Sequence, residues 1–192
     1  NKGSEAEVGW KWATILSLLG HEVYVITRRN NKENIELYLS KNEYKKLFFI
    51  YFDYPNWFLK IFKGKSNSYT YLYYFFWQIG IFFTARKLIK KIKFDYLQHV
   101  TFVTLRIPSL LCLLNIPFIF GPVGGGENSP KNLKKSFPII FKLKEFLRDL
   151  SNLYIKISPL INLTLFKSHR IFVCTEESKK IKRPNHLVMN FR

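Results

Sequence analysis

The sequence predicts an α/β protein with a mostly parallel sheet of about six strands and helices on both faces. Two observations support this prediction. The stretch from Asp95 to Glu127 has the order strand, polar loop, helix, strand and glycine loop, which is the repeating unit of a parallel sheet. Along the rest of the chain, segments with helical periodicity alternate with strand-like apolar runs, and no internal repeat interrupts the alternation.

The composition favours a folded domain over a disordered chain. With 192 residues, 47% of them hydrophobic, the chain is long enough to bury a core within one domain. We therefore expect residues 1–192 to form a single α/β domain.

The first element is predicted to be a helix that follows a glycine turn. Gly3, Ser4 and Glu5 supply a flexible residue, a capping hydroxyl and an acid near the helix start, where the helix dipole favours negative charge. Gly20 is placed to end this helix, and His21 to Arg28 follow as a strand. A helix in this position implies an earlier strand before residue 1. The residues expected on its buried face are Val8, Trp12, Ile15, Leu16 and Leu19.

An aromatic segment follows in the second quarter of the chain. Lys46 to Tyr54 is predicted to be a strand, and Lys60 to Ser68 a polar, exposed linker. Tyr69 to Phe83 is the most apolar run, but its 15 residues are fewer than the roughly 20 that a membrane span needs. A buried core helix is the favoured interpretation. An interfacial helix remains open, since the basic tail Ala85 to Lys93 would suit a membrane surface.

The central stretch contains the candidate site. Asp95 to His99 and Ile116 to Phe120 are predicted strands, and Arg106 to Leu114 is long enough for a short helix between them. Ligands of such sheets bind beyond the carboxyl ends of the strands. The residues that this topology singles out are His99, Thr101, Gly124, Gly125, Gly126 and Glu127.

The last third of the chain continues the alternation. Asn128 to Phe137 is predicted to be a basic loop, and Pro159 to separate two helices. The first helix, Ile139 to Tyr154, is amphipathic, with Ile139, Leu143, Phe146, Leu147, Leu150 and Tyr154 on one face. The elements expected after it are a helix over Leu160 to Lys167, a strand over Arg170 to Cys174, a basic helix over Ser178 to Arg183 and a strand over His186 to Asn190.

The glycine loop GPVGGG matches neither of two familiar phosphate-binding patterns. A P-loop needs a lysine after the last glycine, where this chain has Glu127, and the spacing differs from the dinucleotide fingerprint GxGxxG. Two interpretations of this loop remain open: its backbone amides approach a ligand, or it is a tight turn without a ligand. For His99, a structural and a functional role remain open as well. Asp53, Glu176 and Glu177 are further polar residues near predicted strand ends.

The net charge and the two cysteines indicate which partners and which redox compartment to expect. The net charge of +18 suggests a polyanionic partner, although a general bias toward Lys, Asn, Ile, Phe and Tyr would produce the same balance. Cys112 and Cys174 lack partners at metal-binding spacing, which favours thiols in a reducing compartment.

Several of these segments resemble one enzyme family. The segments are GSExxVGWxWA from Gly3, GHEVYVITR from Gly20, HVTFVTLRIPSLL from His99, and IPFIFGPVGGGE, which ends at Glu127. In this order they resemble the N-terminal domain of the family 4 glycosyltransferases, over nearly all of the chain. That family has the GT-B fold, in which two Rossmann-like domains, each a mostly parallel sheet with helices on both faces, face each other across a cleft.

The resemblance implies a retaining transfer of a sugar from a nucleotide-sugar donor to an acceptor hydroxyl, without a metal or other cofactor. His99 corresponds to the histidine placed against the transferred sugar, and Gly124, Gly125, Gly126 and Glu127 to a loop that borders the acceptor pocket, with Thr101 beside it. Gly3, Ser4 and Glu5 are implied neighbours of the donor diphosphate or the acceptor. The same resemblance implies a glycan or a lipid-linked acceptor and a role in surface polysaccharide or glycolipid synthesis. It also implies a cytoplasmic location at the inner face of the membrane.

The first strand and the C-terminal donor-binding domain of that family have no counterpart in residues 1–192. We therefore expect full-length protein to catalyse transfer and this chain alone to be inactive. The rival function is a non-catalytic basic module that binds an anionic membrane or a nucleic acid. No nucleic-acid motif is present, so the sequence favours nucleotide-sugar, acceptor and membrane over nucleic acid as partners.

Overall fold

The computed structural model describes residues 5–62, 67–127, 129–130, 132–133, 137–175, 178 and 188–190, and it has the predicted mixed α/β class. All four strand pairs within these residues are parallel. In place of a single sheet, the described strands form one sheet of two strands and one of four. The chain correspondingly divides into two compact units, 1–93 and 94–192.

Unit 1 contains the two-stranded sheet and four α-helices among its described residues. The parallel pairing runs from Val23 opposite Leu47 to Thr27 opposite Tyr51. The structure also has two helices that the sequence analysis did not predict, α2 and α3, and the end of α3 overlaps the predicted linker. The elements are α1 (Glu5–Leu18), β1 (Val23–Thr27), a 3₁₀ helix (Arg29–Asn31), α2 (Lys32–Leu39), β2 (Leu47–Tyr51), α3 (Asn56–Phe62) and α4 (Asn67–Ile89).

Helix α1 contacts the sheet of unit 1 through the face opposite to the predicted one. Trp10 stacks on Phe49 of β2, and the small residues Ala13, Thr14 and Ser17 are buried beside it. The prediction of the buried face was therefore wrong. The helix packs through this face because its small residues let it approach the strands closely, while one large indole ring fills the remaining space. Of the residues expected inside, Val8, Ile15 and Leu19 are exposed, and Trp12 and Leu16 are half-buried.

Helix α4 is a core helix along one face, as the favoured interpretation predicted. Tyr73, Tyr74 and Gln78 are buried, and Trp77 donates its indole N–H to the carbonyl oxygen of Phe52 at 3.0 Å. At Gly80 a Cβ atom would lie 2.2 Å from the Phe52 ring, so the glycine lets that ring pack against the helix. Among the described helices, none is long and apolar enough to cross a membrane.

Unit 2 is a four-stranded parallel sheet in the order β3-β4-β5-β6, with two α-helices before β5. The sequence predicted a helix from Arg106 to Leu114, but the structure has only a four-residue 3₁₀ helix there. Ser109 and Leu114, on either side of it, have extended backbone conformations, so the turn does not continue into a longer helix. The elements are β3 (Leu97–His99), a 3₁₀ helix (Leu110–Leu113), β4 (Phe118–Val123), α5 (Ile139–Ile157), α6 (Pro159–Lys167), β5 (Ser168–Val173) and β6 (Val188–Asn190).

The core of unit 2 lies around β4, which has neighbours on both sides. Phe118, Phe120 and Val123 of this strand are almost fully buried, as are Ile171 and Val173 of β5. The predicted strands of this region are confirmed, with ends that differ by at most three residues. The predicted basic helix over Ser178 to Arg183 lies outside the described residues except for Ser178, and so does half of the predicted basic loop Asn128 to Phe137.

Helix α5 has the predicted apolar face, but that face is exposed. Ile139 is 87% exposed, whereas Ile155, on the opposite side, is 1% exposed. The inward side is otherwise polar, with Ser151 and Asn152 hydrogen-bonded to the side chain of Arg106. The exposed apolar residues define what we call the α5 stripe: Ile139, Ile140, Leu143, Phe146, Leu147, Leu150, Leu153, Tyr154 and Ile157.

Candidate functional site

The loops that follow β3, β4 and β5 meet at one edge of the unit 2 sheet. Since the strands are parallel, their carboxyl ends point the same way, with His99 of β3 opposite Phe120 of β4. Beyond the strands, an isolated bridge pairs Thr104 with Gly124, and the Leu105 N–H donates to the Gly124 carbonyl oxygen at 3.0 Å. The pairing therefore continues into the loops and brings the segment after His99 against the glycine loop.

His99 is the last residue of β3, and its imidazole is held in a desolvated position. The residue is 8% exposed, and its ring centroid lies 5.9 Å from that of Phe120. Burial lowers the pKa of His99 to about 4, against a smaller opposing effect of a backbone hydrogen bond at Thr101. The imidazole is therefore neutral near pH 7, and in this form it can both donate and accept a hydrogen bond.

Thr101 lies in the turn that directs the chain away from β3. Its backbone is hydrogen-bonded to His99, and the next residue, Phe102, has a positive φ of 57°. A bulky residue rarely takes this conformation, which marks the turn after His99 as a constrained position.

The glycine loop uses its glycines for distinct reasons. Gly125 and Gly126 have φ values of 108° and 85°, which residues with a Cβ atom adopt only under strain. A Cβ at Gly125 would also lie 3.3 Å from both Arg106 Nη1 and Thr104 Oγ1. A Cβ at Gly124 would meet nothing within 4 Å, so this residue borders open space. Gly124 is thus where a ligand could approach the backbone.

Glu127 binds the loops of the site to each other. Its Oε1 accepts hydrogen bonds from the Gly125 N–H and the Thr175 hydroxyl, both at 3.2 Å, and from the Ser178 hydroxyl at 3.4 Å. Burial alone would raise the pKa of Glu127, but hydrogen bonds from these groups and from its own backbone outweigh that effect and lower the pKa. The carboxylate is therefore charged and is used to join the glycine loop to the loop after β5.

Arg106 is a further polar residue of the loop region that the sequence analysis did not single out. Its Nε donates to Ser151 Oγ at 2.6 Å and its Nη2 to Asn152 Oδ1 at 3.1 Å. Asn152 in turn donates to the Glu127 carbonyl oxygen at 3.4 Å. A lone cation inside the apolar segment HVTFVTLRIPSLL was the available signal, because a buried charge requires polar partners. No comparable feature of the sequence pointed to the other polar residues of this network, which are Thr104, Asn152, Thr175 and Ser178.

The predicted site residues fall into three groups. His99, Thr101, Gly124, Gly125, Gly126 and Glu127 all lie at the carboxyl edge of the unit 2 sheet. Glu5 is the exposed first residue of α1 in unit 1, and Gly3 and Ser4 lie outside the described residues. The structure thus brings six of the nine predicted site residues to one sheet edge.

No group of three or more His, Cys, Asp or Glu side chains that could hold a metal ion occurs in the part of the chain that the structure describes. Comparison of the chain with models of protein families, with curated proteins and with solved structures gives no significant match.

The two neighbouring glycines provide a test of the loop geometry. We expect Gly125→Ala to lower the free energy of unfolding by about 1–2 kcal/mol, because alanine is strained at positive φ and its Cβ would crowd Arg106 and Thr104. The matched control, Gly124→Ala, should change it by less than about 0.5 kcal/mol, since its Cβ meets open space. Urea denaturation of both variants measures the difference. Equal losses would contradict the described loop.

The buried neutral state of His99 predicts a pH dependence of stability. Between pH 6.5 and about 4 the unfolded chain binds a proton on His99 that the folded chain does not. The contribution of neutral His99 to the free energy of unfolding is therefore complete above pH 6.5 and is lost as the pH falls toward 4. From pH 7 to pH 5 we expect the wild type to lose about 2 kcal/mol more unfolding free energy than His99→Gln. Glu127 titrates in both proteins and cancels in the comparison. Identical pH profiles in urea denaturation would show that His99 is not buried in its neutral form.

Proposed function

We propose that this chain is the acceptor-side domain of a retaining glycosyltransferase that uses a nucleotide-sugar donor. The observation that carries the proposal is that a buried histidine, His99, and a glycine loop lie at the same carboxyl edge of a parallel sheet. This edge is where ligands of parallel α/β sheets bind. The sequence resemblance to the family 4 glycosyltransferases supports the same assignment.

The chemistry of the site suits a sugar ligand. A neutral imidazole can hydrogen-bond to a sugar hydroxyl without adding a positive charge to a ring that itself becomes positive in the transition state. At Gly124 the open backbone leaves room for an acceptor close to the loop. Glu127 keeps the loop in place through Gly125, Thr175 and Ser178, so its contribution in this proposal is to position the loop.

In the proposed reaction the bond between the sugar and the donor diphosphate breaks and a bond to the acceptor hydroxyl forms. The hydroxyl proton leaves with the diphosphate or a nearby base, and the nucleoside diphosphate departs with the bonding electrons. The residues described here would hold the sugar and the acceptor. In the family that the chain resembles, the donor diphosphate is held mainly by a second domain, so the proposal concerns transfer by a protein that has both domains.

The proposal predicts that His99 is needed for transfer and that the exposed His169 is not. Both are histidines of the same sheet, but His169 is near the amino end of β5, at the opposite edge. In full-length protein we expect His99→Ala to lower transfer about 100-fold, as loss of one transition-state hydrogen bond does, and His169→Ala to leave it unchanged. Nucleotide release from labelled UDP- and GDP-sugars, with a membrane lipid extract as acceptor, measures the rate.

Two results would contradict this assignment. Unchanged transfer by His99→Ala, in a protein whose circular dichroism matches the wild type, would remove His99 from the site. Absence of nucleotide release from every donor, with the wild type intact, would reject the transferase function itself.

We also propose a peripheral contact with an anionic membrane, through the α5 stripe rather than the aromatic helix α4. The stripe exposes nine large apolar side chains in a row, and Lys142, Lys144 and Lys156 lie on the same helix. An apolar face accompanied by lysines is the pattern of helices that lie in the membrane interface, and the net charge of +18 suits anionic lipid. This contact would serve a lipid-linked acceptor. It would also suit the rival function, a membrane-binding module without catalysis.

A leucine in the middle of the stripe tests the membrane contact. We expect Leu150→Glu to weaken binding to vesicles of phosphatidylcholine and phosphatidylglycerol about tenfold, since it removes the burial of one leucine side chain in the interface. Leu37→Glu, on an equally exposed leucine of α2, is the matched control and should bind as the wild type does. Flotation of the vesicles measures the bound fraction. Equal binding to vesicles of phosphatidylcholine alone would show that anionic lipid is not what the chain recognises.

A further inference from the structure

A second polar site lies in unit 1, where none of the predicted catalytic residues is found. It is a pocket of about 250 Å³ at the carboxyl ends of β1 and β2, the edge at which parallel sheets bind ligands. Its lining includes Arg28, Arg29, Asn30, Asp53 and Asn56. Two cations, one anion and two amides give these side chains a net positive charge.

Asp53 is the buried anchor of this pocket. Its side chain is 4% exposed, and it accepts hydrogen bonds from Arg28 Nε and from the Arg29 backbone N–H, both at 3.0 Å. The Tyr73 hydroxyl also donates to it, and burial together with this carboxylate raises the pKa of Tyr73. Three donors from different parts of unit 1 thus stabilise one carboxylate, as the burial of a charge requires.

Arg28 is held in a fixed orientation while it stays accessible to solvent. The Nε of Arg28 donates a hydrogen bond to Asp53, and the guanidinium carbon of Arg28 lies 4.7 Å from the centre of the Tyr73 ring. The Arg28 side chain nevertheless remains 40% exposed and lines the pocket. Because the planar guanidinium carries five N–H groups, contact through Nε leaves it able to bind a further acceptor.

A purely structural ion pair is the simpler explanation of Arg28 and Asp53, and two features argue against it. The carboxylate already has donors from the Arg29 backbone and Tyr73, so it does not require the whole guanidinium. The cation is ten times more exposed than its partner, at 40% against 4%. Asp53 therefore orients Arg28 toward an open space that also has the Arg29 side chain at its border.

We propose that this pocket binds a phosphate group, with the guanidinium of Arg28 as the main donor and Arg29 as a second cation. A phosphate offers several oxygens in a compact group and carries more negative charge than a carboxylate, which suits two arginines. The Asn30 and Asn56 amides supply further donors at the rim. The phosphate can belong to a soluble nucleoside diphosphate, a small phosphomonoester or a lipid headgroup. This site does not rest on the proposed transferase function, because neither His99 nor the glycine loop takes part.

The test uses calorimetric titration of the chain with three probes: inorganic phosphate, glycerol phosphate and a nucleoside diphosphate. Vesicles containing a phosphatidylglycerol headgroup form the fourth arm. We expect saturable binding of at least one probe, weakened at least tenfold by Arg28→Gln and several-fold by Arg29→Gln. Arg86→Gln removes an exposed arginine of α4 and is the control for net charge, so it should bind as the wild type does. The source of the phosphate is identified by the arm that binds most tightly among those weakened by Arg28→Gln, because vesicle contact through the α5 stripe does not depend on Arg28.

The Arg29 variant keeps the test valid if Arg28→Gln fails to fold. Arg29 contributes its backbone N–H to Asp53, which glutamine retains, so Arg29→Gln should unfold at the same temperature as the wild type. Absence of saturable binding of all four probes would overturn the proposal. An equal loss in Arg86→Gln and Arg29→Gln would overturn it too, since it would show a general effect of charge. Acetate binding as tightly as phosphate would reject the assignment of phosphate.

Discussion

The carboxylate of Glu127 is the interaction on which the candidate site of unit 2 depends. One oxygen receives hydrogen bonds from the glycine loop and from the loop after β5, two segments that are far apart in the chain. Burial disfavours a charge at this position, yet the donors lower its pKa, so the interaction is maintained by several hydrogen bonds acting together. Arg106 and Asn152 extend the same network to helix α5. The loops are therefore ordered by polar contacts, while the apolar core beneath them orders the strands.

The two units have a similar arrangement of polar residues at the carboxyl ends of their strands. In each, a carboxylate with several donors orients residues around an open space: Glu127 does so for the glycine loop, and Asp53 for Arg28. The groups presented differ, with a neutral imidazole in unit 2 and a guanidinium in unit 1. A neutral group suits an uncharged hydroxyl and a cation suits an oxyanion, so the two edges differ in the chemistry that they present.

Helices α1 and α5 show why an apolar stripe does not by itself identify a buried face. Each has such a stripe in its sequence, and each instead contacts its own unit through the other side. In α1 that side carries small residues and Trp10, and in α5 it carries Ser151 and Asn152, which bind Arg106. Hydrogen bonds to the half-buried guanidinium of Arg106 are costly to leave unmade, and they orient α5 with its polar side inward. The α5 stripe is then left exposed.

The sequence by itself determined the α/β class, the positions of most strands and the collection of His99, Thr101 and the glycine loop at one sheet edge. These features follow from local patterns, since apolar runs bounded by glycine and proline specify strands, and parallel pairing orders their ends. Tertiary structure alone decided the division of the strands into two sheets, the buried sides of α1 and α5, and the short 3₁₀ helix after Pro108. It also decided the partners of Glu127, Asp53 and Arg106, because hydrogen bonds between residues about 25 to 50 positions apart leave no periodic signal in the chain.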